Sequence, residues 1–188
     1  MAVAEPIRNQ KNIHALFSYF EKKKEHRNHV LVRIGVYTAL RIGDILNLRI
    51  SDVFDFNDRK VKNTVTLTEQ KTGKRKTVVL HKDVKRILKI FLCDVTKDAP
   101  LILNQRTGKA ISREQAHRII SNAAKEIGIP HRVSCHSLRK TFGYLAWRRG
   151  EPLSVITKIY NHASYKITEL YLGIQQDDIN AVYLNMRI

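Results

Sequence analysis

One stretch of this chain breaks a helical rhythm, and the break constrains the fold more than any other feature. Through the first 50 residues, apolar side chains recur every three or four positions: Ile13, Leu16, Phe17 and Phe20, then Val30, Ile34 and Tyr37. That period lines one face of an α-helix. Between Val53 and Leu80 the texture changes to "VFDF", "TVTLTEQ" and "KTVVL", separated by the turn formers Asn57-Asp58 and Thr72-Gly73. Short β-branched runs between such turns predict a small antiparallel sheet of about three strands. After His81 the helical period returns, with Val84, Ile87, Leu88, Phe91, Leu92 and Val95 forming a broad apolar stripe.

The remainder reads as helices with recognisable ends. Ser112 followed by Gln115 predicts a capping box for a helix bearing Ala116, Ile119, Ile120, Ala123 and Ile127, closed by Gly128. A helix is expected from about Ser137 to Arg149, ending at Gly150, another from Pro152, and two short ones to the C-terminus. The predicted class is therefore α+β, mainly α-helical, with a small three-stranded antiparallel sheet inserted after the first helices. At 188 residues, without an internal repeat or a low-complexity linker, the chain is expected to form one domain.

Charge narrows the partner. Lys and Arg number 34 against 17 Asp and Glu, a net charge of +17. Such an excess favours a polyanion, because each phosphate neutralised releases condensed counterions. Nucleic acid leads, and an anionic membrane surface comes second. No apolar run approaches the roughly 18 residues of a spanning helix, and the N-terminus lacks a signal-peptide pattern, so a cytoplasmic, nucleoid-associated protein is expected. Cys93 and Cys135 have no C-x-x-C spacing, which suits a reducing compartment, and Cys135, His136 and His131 make a poor zinc set. No phosphate-cradling glycine loop is present, so neither a nucleotide cofactor nor a metal is expected.

Four segments carry candidate chemistry. In "CHSLRKTFGYLAWRRG", His136 and Arg139 stand three apart at a helix start, where an imidazole and a guanidinium share a face suited to a phosphate; a solvated basic face is the other reading. In "TALRIGDILNLRISDV", Arg41 lies among apolar residues with Asp44 three later, either as a structural pair or with the carboxylate aiming the fork at a ligand. "TEQKTGKRKTVVL" is a basic hairpin carrying Lys71, Lys74, Arg75 and Lys76, which either touches backbone phosphates or is simply solvated. "IYNHASYKITELYL" crowds Tyr160, Tyr165 and Tyr171 around His162, and packing is the usual duty of a tyrosine. Composition alone does not choose among the phenols.

Taken in order, Arg41, Lys71, His136-x-x-Arg139, His162 and Tyr171 resemble the catalytic set of the tyrosine recombinases, which include the phage integrases. "HSLRKTFG" is similar to that family's H-x-L-R-H-[ST]-[FA], and "NHASYKITELYL" to its G-H-[SA]-x(4)-T-x-x-Y; the match spans roughly residues 8 to 185. The resemblance implies that Arg41 and Arg139 grip the scissile phosphate and that Tyr171 attacks phosphorus, giving a 3′-phosphotyrosyl link. It further implies that Lys71 protonates the leaving 5′-oxygen, His136 assists proton transfer and His162 hydrogen-bonds the phosphate. Tyr160 and Tyr165 then revert to packing or DNA contact, and Lys74, Arg75 and Lys76 become DNA-binding residues.

The same resemblance implies a site-specific recombinase working as a homo-tetramer on synapsed DNA, without cofactor. The alternative is an accessory DNA-binding protein that keeps the fold without the activity. Family members usually carry an N-terminal core-binding domain, absent here, so residues 1–188 are expected to be a single catalytic domain. Three further departures stand out. Tyr160-Asn161 replaces the usual Leu-Gly before the second histidine, and Lys140 stands where the family often has His. Asp44 replaces a common Glu and is expected to hold Arg41 or Arg49. The apolar positions Ile179, Val182, Tyr183 and Met186 predict a C-terminal helix that needs a groove, in cis or on a neighbouring copy.

Overall fold

The computed structural model describes residues 4–174, 176–184 and 186. The helix α2 (His26–Thr38) is the centre of the core: Val30, Leu31, Val32, Ile34 and Val36 are buried around its circumference. A helix apolar on every side must be covered on every side. Its covers are α1 (Gln10–Lys22), α5 (Lys82–Phe91) and α7 (Cys135–Arg148). Gly35 permits the last of these contacts, since a Cβ there would stand 2.7 Å from Leu138 Cδ1 on α7. That close approach sets the height of α7, and with it Arg139.

The short helices α3 (Ile42–Asn47) and α4 (Ile50–Val53) lead into the extended region. Here the expected three-stranded sheet is replaced, among the described residues, by two separate two-stranded antiparallel ribbons. Strand β1 (Phe54–Asp55) pairs with β2 (Lys60–Val61), and β3 (Thr64–Thr68) with β4 (Arg75–Val79). The middle segment changes partner at its bend: Lys62 N donates to Val53 O at 2.8 Å, whereas Asn63 O accepts from Leu80 N at 2.8 Å. Both predicted turns are present, the first drawn in by Asp55 Oδ1, which accepts from Asn57 N at 2.9 Å, the second by Gly73 at φ 65°.

Helix α6 (Arg113–Glu126) opens on the predicted capping box: Ser112 Oγ accepts from Gln115 N at 3.1 Å and Gln115 Oε1 from Ser112 N at 2.9 Å. Helix α7 begins two residues earlier than expected. Ser137 is its third residue and reaches back to accept from Ser134 N at 3.1 Å, so His136 falls inside the first turn. After α7 come α8 (Leu153–Tyr160), α9 (Tyr165–Leu172) and α10 (Gln176–Leu184). Of these, α8 and α9 pack with α7 and the end of α2 around a second apolar cluster of Ala39, Ile156, Tyr160 and Leu172. Among the described residues, no helix is long and apolar enough to cross a membrane.

One buried group ties the fold to pH. His29 on α2 is 2% exposed, and its Nε2 accepts from Arg33 Nε at 3.0 Å. Burial first, then the Arg33 charge, pushes the imidazole down to about 4. The unfolded chain takes up this proton below its ordinary pKa of about 6.5, and the folded chain does so only near 4. Stability supplied by neutral His29 is therefore complete above about 6.5 and is lost as pH falls toward 4, by at most about 1.4 kcal/mol per pH unit. Urea denaturation at pH 7 and pH 4.5 should show a smaller acid loss for His29→Gln than for the unchanged chain. Equal losses would contradict the assignment.

Candidate active site

Three chain segments meet at the C-terminal ends of α2 and α8, and Arg139 joins them. This residue is 3% exposed. Its Nη1 donates to Ala39 O and its Nη2 to Tyr160 O, the latter at 3.1 Å. Its guanidinium also lies 4.6 Å from the centre of the Tyr160 ring. Ala39 precedes Arg41 by two residues and Tyr160 precedes His162 by two, so one fork fixes both approaches. Carbonyls left over at helix C-termini attract cations, which is the local reason that a buried arginine is tolerated here.

Arg41 leaves α2 after Ala39 turns left-handed at φ 54°, and it stands at the N-cap of α3. Its Nη1 lies 2.8 Å from Glu69 Oε1, a carboxylate 2% exposed. The expected pairing with Asp44 is not formed, because Arg41 is extended rather than helical and the three-residue helical spacing does not apply. Asp44 Oδ1 instead accepts from Gln70 N at 2.9 Å, holding the β3–β4 hairpin against α3. Nor does Asp44 hold Arg49, which pairs with Asp98. Glu69, immediately before the basic hairpin tip, is the partner of Arg41 that the sequence reading missed.

His162 is delivered by the end of α8. Asn161 adopts φ 56° and ψ 43°, the left-handed cap usually given to glycine, which Asn tolerates better than most side chains. The turn is closed by His162 N donating to Thr157 O at 3.1 Å and Asn161 N to Lys158 O at 3.1 Å. The Asn161 departure therefore leaves the turn intact. His162 Nδ1 lies 3.1 Å from Thr168 Oγ1, and its ring stacks on Tyr160 at 5.1 Å.

Tyr171 on α9 is half-buried, edge-on to Tyr160 at 5.2 Å and to His162 at 5.1 Å. The Lys140 ammonium lies 5.0 Å from its ring centre. Burial raises the phenol above its ordinary value, opposed chiefly by the neighbouring charge of Arg139. The other two phenols separate cleanly. Tyr160 is fully buried, donating to Arg139 O at 2.6 Å and accepting from Gly143 N at 2.8 Å, while Tyr165 is 57% exposed. Gly143 has no room for a side chain: a Cβ would lie 2.6 Å from Leu172 Cδ2 and from the Tyr160 ring. Gly143→Ala should cost about 1–3 kcal/mol by overpacking, read as a lowered urea midpoint; an unchanged midpoint would contradict the geometry.

Arg41, Lys71, Arg113 and His136 line one open cleft. His136 is exposed at its mouth, yet its imidazole is pushed down, first by partial desolvation and then by Arg139, Lys140, Arg41 and Lys71. His162 is lowered by burial and then by Arg139 and Arg41. Both histidines thus sit in a field that favours neutral rings and would welcome an anion. Lys71 is exposed at the hairpin tip, and Arg75 points to solvent. Lys74 Nζ reaches Asn161 Oδ1 at 3.2 Å. Lys76 differs from the solvated DNA contact expected of it: it is half-buried, with Nζ donating to Ile159 O at 2.8 Å. A larger, mostly apolar groove lies elsewhere, lined by Phe17, Tyr37, Phe142 and Val155, and holds none of Arg41, Lys71, His136, Arg139, His162 and Tyr171.

The chain matches the Phage integrase family over residues 8–177. The probable integrase/recombinase YoeC of Bacillus subtilis is 34% identical over 183 residues, covering 97% of each protein. The crystal structure of XerA recombinase superimposes with a TM-score of 0.77 at 22% identity, over 100% of this chain and 66% of that one. The XerH site-specific recombinase, solved in a post-cleavage complex with palindromic difH substrate, gives 0.75 at 21%, over 94% and 51%. The chain thus spans nearly all of YoeC but only about two thirds and half of the two solved chains. Likeness at those structural identities speaks for the fold, and the sequence match speaks for descent. The chain belongs to the phage integrase family, with the fold of a tyrosine recombinase catalytic domain.

Proposed function

We propose that this domain cleaves and rejoins DNA strands at specific sites through a tyrosyl–phosphate intermediate. One observation carries the reading: Arg139 draws the approaches to Arg41 and His162 together, and the Tyr171 ring stands edge-on to that same His162. A phosphodiester seated there would meet two guanidinium groups placed before the reaction starts, which is how charge growing in a transition state is offset without reorganisation. The Tyr171 phenol oxygen bonds to phosphorus as the bond from phosphorus to the 5′-oxygen breaks. His136 takes the phenolic proton, Lys71 gives one to the departing 5′-oxygen, and His162 hydrogen-bonds a non-bridging oxygen. A second 5′-hydroxyl reverses the step and rejoins the strand, so no external energy source is consumed.

The partner is duplex DNA, and the proposed assembly is a homo-tetramer on synapsed sites. Helix α10 is tied in cis through Asp178, which meets Arg8 at 2.9 Å and Tyr144 Oη at 2.8 Å, and the support for assembly is its apolar face, where Ile179, Val182, Tyr183 and Leu184 are exposed. The test is to incubate the protein with a pool of nicked duplexes of randomised sequence, in which cleavage releases a short fragment and traps the intermediate. A denaturant-resistant protein–DNA species is expected, and the sequences recovered from it define a substrate. DNA binding without any such species would favour the accessory, non-catalytic reading. Affinity should fall with salt, with a slope of log K against log salt of about −0.9 per phosphate neutralised.

A further inference from the structure

The last four carbonyls of α8 have no partners within the helix, and each is satisfied from outside it. Thr157 O and Lys158 O accept from the backbone N–H groups of His162 and Asn161. Tyr160 O accepts from Arg139 Nη2 at 3.1 Å, and Ile159 O from Lys76 Nζ at 2.8 Å. Two cations from distant parts of the chain therefore cap the turn that delivers His162. Arg139 belongs to the cluster already described. Lys76 belongs to β4, on the far side of the hairpin whose tip carries Lys71.

The hairpin is pinned at two points. On the β3 side Glu69 pairs with Arg41, and Gln70 N bonds Asp44 Oδ1 at 2.9 Å. On the β4 side Lys76 holds Ile159 O, assisted by Lys74 at Asn161 Oδ1. Lys71 lies between the two anchors. Strand alternation puts Arg75 in solvent and turns its neighbour Lys76 inward. Burial, then the charges of Arg139 and Arg41, lower this ammonium to about 8, opposed by Glu69 and Asp44. A charge kept in so cationic a place, where repulsion works against it, fits a structural bond to a helix-end carbonyl better than a free surface contact.

We propose that Lys76 is a positioning residue for strand cleavage: by holding Ile159 O it docks the hairpin on the turn that carries His162, and thereby sets where the Lys71 ammonium stands against the leaving 5′-oxygen. This rests on the reading under Proposed function. Without the anchor, the β4 side is left with the exposed Lys74–Asn161 contact while the β3 side keeps Glu69 and Gln70, and the tip is free to pivot. The loss falls on protonation of the leaving group rather than on attack by Tyr171.

Single-turnover cleavage of the recovered duplex tests this, using two versions that differ only in the bridging atom, a 5′-oxygen or a 5′-sulfur. A thiolate leaves without needing a proton, because thiols ionise near pH 8.5. Lys76→Met should slow cleavage of the oxygen duplex by about tenfold or more and leave the sulfur duplex within about threefold of the unchanged protein. Lys71→Met should show the same selectivity, and adding Lys76→Met to it should slow the oxygen duplex no further. Lys76→Arg, which keeps a donor for Ile159 O, should stay closer to the unchanged protein and supplies the comparison if Lys76→Met folds poorly. Equal slowing of both duplexes, or no slowing of either, overturns the proposal. No adduct from the unchanged protein on either duplex overturns the reading of the site instead.

Discussion

Tyr171→Phe is expected to bind duplex DNA as the unchanged chain does and to form no denaturant-resistant adduct, a loss of at least about 10⁴-fold in covalent complex. The substitution removes one oxygen. Nothing in the fold depends on it as a packing atom, because the ring keeps its edge contacts with Tyr160 and His162 and its place beside Lys140. The control is Tyr165→Phe, whose ring is mostly exposed and whose adduct yield should stay within about twofold of the unchanged chain. Tyr160→Phe is a poor control. It leaves Arg139 O and Gly143 N without their buried partner, which costs about 1–3 kcal/mol and disturbs the cluster itself.

The second large effect is expected at Arg139, where stability and chemistry meet. Arg139→Ala leaves Tyr160 O and Ala39 O without donors in a buried setting and should cost about 2–4 kcal/mol of stability. Assayed well below its melting temperature, the folded variant should still cleave about 10²–10³-fold more slowly, the usual loss when one preorganised donor is taken from a growing negative charge. Arg139→Lys separates the two parts. An ammonium can reach one carbonyl but cannot span both while facing a phosphate, so it should recover some stability and little rate. Cleavage within about threefold of the unchanged chain for either variant would remove Arg139 from the site.

Much of this was legible in the sequence, for identifiable reasons. Helical periodicity placed α1, α2, α5 and α6, because each buries one stripe or, in α2, its whole girth. The capping box at Ser112 was legible because both partners are local. What failed depended on contacts across the chain. The single sheet became two ribbons at a bend, Lys62–Asn63, marked only by a lone Asn, too little to predict a turn. Asp44 was assigned to Arg41 on a helical spacing, but Arg41 is an extended N-cap residue and its true partner, Glu69, lies on another element. Lys76 was read with its basic neighbours as a DNA contact, although strand alternation already separates it from Arg75. Asn161 was flagged as a departure from glycine, and its left-handed φ shows how the turn accommodates it.

The central claim is that one late phenol, gathered beside two guanidinium groups, becomes covalently attached to DNA. Proteolysis of the trapped adduct followed by mass spectrometry of the nucleotide-linked peptide tests it most directly. The predicted result is a 3′-phosphorylated nucleotide on Tyr171, with the released strand ending in a 5′-hydroxyl. A nucleotide on any other side chain, or a released strand ending in a 5′-phosphate, would contradict it.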